Sequence, residues 1–493
     1  TSERWEDLHK EGALTRQDIL VLEEVPPDFD VYVAGVITQT QQGPLSHANI
    51  LAAQESTPNA YVRRAFDLFR NLEGKLVYYE VTKTHYVVRE ATIEEANRIW
   101  EERKPEPVEV PEPDLSFEQM PSLHELAGTY QPEKFGGKAA YLALFYPWIP
   151  PENRVPGFVI PFAFLEQYLG ENLIGDITLR EAYSFLVKNP RFQADSAFRK
   201  KKLEEFHELV KESGRVPNSL IDRIAHRIKD VFGSDRIMVR FRSSSNAEDS
   251  LLFAGAGLYD SYSACALDSL DSDREGPSIC NPREQKERTI YRALRGVWAS
   301  LWNFRAYELR NWYGIPEDKI SMAILVTPAF LNEAANGVAL TGSPIDPTDS
   351  RYYITVQVGE ASVVRPEGGQ IPELDLLSQG GEGFIVQRAR MSNLLEVGKY
   401  VLKEEELKEL GEILSALQES YRPAEPYPPE LLRLNVEFKL SPQRQIYIKQ
   451  VRPFVISGAE KLQSKLRERT LRFPSRIFVN TASVHDTDIA ELS

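Results

Sequence analysis

Leu434-Asn435-Val436-Glu437-Phe438-Lys439-Leu440 and Ile446-Tyr447-Ile448-Lys449-Gln450-Val451-Arg452-Pro453 both alternate apolar with polar residues. Joined by Ser441-Pro442-Gln443-Arg444-Gln445, they predict a hairpin with one apolar and one polar face. Pairing Leu440 with Tyr447 sets Glu437 opposite Gln450 across the ladder. Their oxygens would then converge as hard ligands suited to magnesium, although a merely exposed polar face has the same pattern.

Working upstream, Val239-Arg240-Phe241-Arg242-Ser243-Ser244-Ser245-Asn246-Ala247-Glu248-Asp249 opens as a strand, with a strand expected at Ile237–Arg240. Period-two alternation puts Arg240 and Arg242 on one face, where two guanidinium groups could clamp a polyphosphate or pair with Glu248 and Asp249. Phe253-Ala254-Gly255-Ala256-Gly257 follows, a glycine-rich loop able to cover such a ligand. Nearer the start, Phe135-Gly136-Gly137-Lys138-Ala139-Ala140 enters an apolar helix. Its glycines would bring backbone close to a ligand and Lys138 would add positive charge. The spacing is not that of a P-loop, and a simple helix-entry turn gives the same string.

The chain has 493 residues, more than one ordinary domain holds, so two or three domains are expected. Its 42% hydrophobic and 27% charged content is that of a globular protein, with no apolar run long enough for a membrane span. The mostly polar start, Thr1 to Asp7, predicts no export segment, and a cytoplasmic location is expected. A net charge of -15 argues against nucleic acid as a partner. Cys265 and Cys280 form no C-x-x-C pair and have no closely spaced His, so both are expected as ordinary thiols without a redox or metal role.

Residues from about 17 to 100 read as a small α/β unit, with strands at Val31–Ala34 and Leu76–Tyr79 and a helix at Ile93–Glu102. Lys104-Pro105-Glu106-Pro107-Val108-Glu109-Val110-Pro111-Glu112-Pro113 is too rich in proline for a helix or central strand. An extended, stiff linker is expected there. A larger α+β region follows, with a helix at Ala197–Glu212 whose run Arg199-Lys200-Lys201-Lys202 reads as a solvated face.

Within the small unit, Gly43-Pro44-Leu45-Ser46-His47-Ala48-Asn49-Ile50 passes from a turn into a helix with Ser46 as N-cap. His47 would stand at the helix N-terminus, where free N–H groups and the dipole favour an anion. An imidazole with a pKa near ~6.5 is substantially neutral and nucleophilic at cellular pH, so a phosphoryl group could be carried there. A structural histidine at a helix start is the competing reading.

This run resembles the phosphohistidine loop of phosphoenolpyruvate synthases, pyruvate phosphate dikinases and glucan water dikinases, with His47 on the phosphorylated position. The likeness continues through Leu51 to Val62. Leu45 replaces the threonine frequent in the synthases, and Leu-Ser-His is more similar to the glucan water dikinase form, which also places this domain first. Gly-Gly-Lys, Arg-Ser-Ser with Ala-Glu-Asp, Phe-Ala-Gly, and Val-Glu-Phe with Gln-Val-Arg-Pro likewise resemble, in order, the ATP-grasp-like domain of the same phosphoenolpyruvate-utilising family.

The resemblance implies an α+β multidomain chain: a swivelling phosphohistidine domain at 1–103, a hinge at 104–121, an ATP-grasp-like nucleotide domain at 122–456 and a C-terminal extension at 457–493. It implies that Gly137, Lys138, Arg242, Gly255 and Gly257 bind ATP, that Glu437 and Gln450 carry Mg2+ with it, and that Arg452 and Arg305 serve transfer. Asn435 stands where the family usually has Asp. ATP would phosphorylate His47 and leave as AMP, and His47 would pass the group to an unidentified acceptor. No stretch supplies the roughly 250 residues of a phosphoenolpyruvate barrel, so a water-dikinase-like enzyme, acting on a carbohydrate, is the first expectation. A small-molecule or antibiotic phosphotransferase, a synthase-like enzyme and an inactive nucleotide-binding regulator are the alternatives. A substrate domain outside this numbering or a homo-oligomer stays open.

Overall fold

The computed structural model describes residues 17–23, 33–41, 52, 57–82, 85–105, 107–249, 253, 255, 257–271, 275–344, 346–361, 363, 370–381, 383–422 and 431–455. His47 and the extension 457–493 lie outside them. In the small unit, β1 (Ile19–Leu22), β2 (Gly35–Thr38) and β3 (Asn59–Tyr61) form a parallel sheet. β4 (Val77–Val81) and β5 (Tyr86–Glu90) form a hairpin, and a helix follows at Ile93–Arg103. Ile37, Ala60, Val62, Ala65 and Val81 make its core. The strand expected at Val31–Ala34 begins later, at Gly35, with Val33 and Ala34 preceding it and Val31 and Tyr32 outside the described residues. All four residues of β2 are buried because it is the central strand of a parallel sheet, which shows a continuous buried run and no alternation.

The larger region is antiparallel and layered. After β6 (Phe158–Ile160) and the short ribbon of β7 (Leu173–Ile174) with β8 (Ile177–Thr178) come β9 (Met238–Ser245), β10 (Ser261–Cys265) and β11 (Met322–Pro328). Strands β10, β9, β11 and β6 line up in that order as one sheet. A second sheet has the order β15-β14-β13-β12-β16-β17, built from β12 (Ala335–Leu340), β13 (Tyr352–Val358), β14 (Glu373–Gly380), β15 (Gly383–Arg390), β16 (Leu432–Leu440) and β17 (Ile446–Val455).

Alternation along β11 explains the layering. Met322, Ile324 and Val326 enter one core with helices Ser196–Glu212, Asn218–Phe232 and Ile290–Ala299. Ala323 and Leu325 enter a second core, shared with helix Pro132–Phe145, helix Glu404–Ser420 and Val436, Ile448 and Val451 of the six-stranded sheet. Helix Pro132–Phe145 therefore packs between the two sheets, and its first turn lies where their polar ends meet. Arg199 corrects the expected solvated face: it is buried, pairing with Glu308 and donating to the Phe192 carbonyl at 2.8 Å.

Two other expectations change. Of the segment 104–121 read as a hinge, the part from Val108 on is fastened to the larger region. Val108 is buried in the first core and its N–H donates to the Tyr313 carbonyl at 2.9 Å, while Asn246 Nδ2 donates to the Pro111 carbonyl at 2.7 Å. Proline leaves few N–H donors there, so the backbone anchors at Val108 and Asp114 are joined by a side-chain donor, Asn246, from the folded region. Cys265 and Cys280 are not free thiols but a disulfide, with Cα atoms 5.8 Å apart across 15 residues. The return is directed by Asp268, whose carboxylate accepts from the N–H groups of Ile279 and Arg288, both at 2.8 Å. Disulfides are rare in reducing compartments, so the cytoplasmic expectation is not carried further. Among the described residues no helix is long and apolar enough to cross a membrane.

Candidate functional site

Gly136 breaks helix Pro132–Phe145 near its start, with φ 73°. A Cβ on Gly136 would lie 1.9 Å from the Ser244 carbonyl oxygen, and one on Gly137 would lie 1.8 Å from that of Glu248. The two glycines thus admit the backbone of the Arg-Ser-Ser segment, a nearer partner than the ligand the sequence suggested. Ser244 fixes the junction by donating to the Phe135 carbonyl at 2.7 Å and accepting from the Ala139 N–H at 3.0 Å.

That contact delivers Lys138 to Glu248. The Nζ to Oε1 distance is 2.6 Å, side-chain exposures are 10% and 4%, and Ser243 Oγ accepts from the same ammonium at 3.1 Å. Burial pushes the Glu248 carboxyl above its ordinary range against the pull of Lys138, and Asp249 adds to the rise.

Arg242 points from β9 to the second sheet. It donates to Gln450 Oε1 at 2.6 Å, to the Lys449 carbonyl at 2.8 Å and to Glu437 Oε2 at 3.4 Å. Arg240 does not join it: its guanidinium donates to Ser263 Oγ on the neighbouring strand at 3.1 Å. Neither arginine forms the expected pair with Glu248 or Asp249. Lys138 holds Glu248, while Asp249, at φ 60°, meets Arg452 at 3.3 Å and accepts from Gln450 Nε2 at 2.9 Å.

The hairpin pairs Glu437 with Gln450 as anticipated, but Leu440 lies opposite Ile446, not Tyr447. The register shifts between Glu437 and Phe438, leaving Lys449 as an extra residue. Its Nζ is 3.3 Å from Glu437 Oε2. Burial disfavours the charge of Glu437, but Lys449, Arg242, Arg452 and Lys138 together outweigh it and hold the carboxyl down at about 2. Burial, with repulsion from Arg242, brings the Lys449 ammonium down to about 8 against the attraction of Glu437.

Four of the sequence-derived residues, Arg242, Glu437, Gln450 and Arg452, therefore join one network spanning both sheets, and Lys138, paired with Glu248 beside Asp249, adds its charge at Glu437. Gly137 supports it through Glu248. Gly255, at φ 61°, approaches Phe253 and the Glu248 Cα, whereas Arg305 is tied to the glycine loop by donating to the Gly257 carbonyl. Lys449 was missed because regular alternation would turn it away from Gln450. Four cations (Lys138, Arg242, Lys449, Arg452) lie near three carboxylates (Glu248, Asp249, Glu437), a balance suited to a polyanion.

The oxygen donors also fit a hard divalent cation. Glu437 and Gln450 face one another, and the buried Asn435 Oδ1 on β16 has no hydrogen-bond partner among the described residues. No group of three or more His, Cys, Asp or Glu side chains suited to a metal occurs among them. The Glu–Gln pair is the candidate.

Residues 133–368 match the family described as pyruvate phosphate dikinase, AMP/ATP-binding domain. A probable phosphoenolpyruvate synthase of Pyrococcus horikoshii is 28% identical over 190 residues, 36% of this chain and 20% of that protein. The phosphoenolpyruvate synthase of Pyrococcus furiosus is 26% identical over 193 residues, 38% of this chain and 20% of that protein. The chain spans a fifth of the length of the curated relatives it matches. Among solved structures, D-alanyl-alanine synthetase A of Vibrio cholerae is 13% identical, the match covering 58% of this chain and 63% of that chain, with a TM-score of 0.17. The family match begins with the helix that presents Lys138 and runs through the strand that presents Arg242, so this part of the chain is similar to the AMP/ATP-binding domain of pyruvate phosphate dikinase, and the chain is similar to phosphoenolpyruvate synthases.

Proposed function

We propose that the chain is a dikinase-type phosphotransferase that moves a phosphoryl group from ATP to His47 and on to an acceptor. The observation that carries this reading is the convergence of Lys138, Arg242, Glu437, Gln450 and Arg452 between two sheets of an AMP/ATP-binding domain. Lys138 and Arg242 bind the phosphates, exchanging part of their hold on Glu248 and Gln450 for phosphate oxygens. Gly255 and Gly257 lie in the loop that covers them. Arg452 meets charge developing on the transferred group, with Arg305 assisting from the loop. Glu437 and Gln450 would hold Mg2+, which when bound neutralises phosphate oxygens.

In the first half-reaction the bond between the α and β phosphates breaks and AMP leaves. The β phosphoryl group stays on His47, and the γ phosphate goes to water or inorganic phosphate. In the second half-reaction His47 donates to the acceptor. A water-dikinase-like enzyme acting on a carbohydrate is favoured by the domain order. The small domain at 1–103 swivels on the part of the linker that precedes the anchored Val108.

The test is incubation with magnesium and ATP labelled separately at the β and γ phosphates. Acid-labile, base-stable label from the β position on the wild type, absent from His47→Ala, with AMP formed, is the expected result. Label unaffected by the substitution removes His47 as carrier. ATP binding without AMP formation, with any acceptor tried, moves the reading to a nucleotide-binding regulator.

A further inference from the structure

We infer that Lys449 is a built-in counter-cation that competes with the divalent cation for Glu437 and turns to the polyphosphate when that cation arrives. The inference deepens the ATP reading above and rests on it. Ile446, Ile448 and Val451 all enter the second core, so the inward phase of β17 slips by one residue between Lys449 and Gln450. In an unbroken ladder these neighbours would point to opposite faces. The bulge turns both to the polar face, where Lys449 Nζ reaches Glu437 at 3.3 Å and Gln450 Oε1 reaches Arg242 at 2.6 Å.

Arg242 anchors the bulge, because the carbonyl of Lys449 accepts from its guanidinium at 2.8 Å. Glu437 Oε2 thus faces two cations of different freedom. Arg242 is held at Lys449 and Gln450 as well as at Glu437, with 6% of its side chain exposed. Lys449 is 25% exposed, carries a compact charge on a flexible stem, and can rotate from carboxylate to phosphate without disturbing the backbone. A metal ion on either oxygen of Glu437 would bring two positive charges close to the ammonium held at Oε2, and the two cations would repel. Without the ion, the ammonium keeps the carboxylate neutralised, so a metal-free polyphosphate meets no bare negative charge at this point.

The two sides of the exchange are measured separately on the full chain. Free Mn2+ is followed by electron paramagnetic resonance as protein is added, and ATP binding is followed by calorimetry in excess EDTA. Lys449→Met is expected to tighten Mn2+ about tenfold and to weaken metal-free ATP about tenfold, the two constants moving in opposite directions. Lys449→Arg, which keeps the charge, is expected to retain metal-free ATP binding, and thermal unfolding of each variant verifies its folding. If both constants worsen, or neither moves, in folded Lys449→Met, the inference is overturned. If the wild type binds Mn2+ but no ATP with or without it, the ATP reading itself fails and takes this inference with it.

Discussion

Replacing Lys138 by methionine removes the partner of a carboxylate that has nowhere else to go. Glu248 is 4% exposed, and its other contacts, Ser243 Oγ and Ser245 N–H, are both at 3.4 Å, the weak end of hydrogen bonding. Breaking one side of a buried pair costs roughly 3–5 kcal/mol. The two serine contacts and proton uptake by Glu248 put the expected loss near the lower end, about 3 kcal/mol. The pH dependence follows from the raised carboxyl. A carboxyl whose folded pKa exceeds its unfolded value, ordinarily ~4.3, destabilises the fold as pH rises from one value towards the other, because only the folded state still holds the proton. Without Lys138 the folded value rises further, so the deficit of the variant is larger at about pH 8 than at about pH 5. The assay is urea unfolding followed by tryptophan fluorescence, since Trp298 and Trp302 are buried in the first core of this region. Adding Glu248→Gln is expected to restore about 2 kcal/mol by removing the stranded charge. A loss below about 1 kcal/mol at about pH 8, or one that does not shrink at about pH 5, refutes the buried-pair argument.

Gly137→Ala forces a methyl group to within 1.8 Å of the Glu248 carbonyl oxygen, and is expected to cost about 2 kcal/mol or more and to weaken ATP binding in a filter-binding assay. Reducing the Cys265–Cys280 bond, or replacing both residues by serine, opens a loop of 15 residues and should lower stability by about 3 kcal/mol in the same urea titration. Burial and the neighbouring Glu373 push the Asp375 carboxyl up to about 8. The contribution of Asp375 to stability should therefore fall between about pH 4 and pH 8, so Asp375→Asn should raise the melting temperature relative to wild type more at about pH 8 than at about pH 4 in differential scanning calorimetry.

Patterns of period two or three to four, set by neighbours in sequence, were legible before any coordinates. They include the alternating strands of the hairpin at Leu434–Pro453 and the helix at Ala197–Glu212, whereas Glu437 faces Gln450 only because a bulge offsets the register expected from Leu440 with Tyr447. The same local rules misplaced what depends on distant chain. The strand start at Gly35 depends on its partners β1 and β3, and the burial of Arg199 depends on Glu308 from another helix. Cysteine spacing could not reveal a disulfide whose closure is directed by Asp268 and its bonds to Ile279 and Arg288. In the candidate site, residue types suggested the proposed phosphate and metal chemistry, since Gly-Gly-Lys, Arg242 and the Glu437–Gln450 pair need only their own segments to be noticed. Which cation meets which carboxylate was decided by two sheets closing on one helix. That closure gave Lys138 to Glu248 and Arg452 to Asp249, and a single extra residue in β17 turned Lys449 towards Glu437. Sequence periodicity reports the side on which a residue points within its own element, whereas a charge pairs with whatever the packing of separate elements brings within about 4 Å, and only the tertiary fold sets that distance.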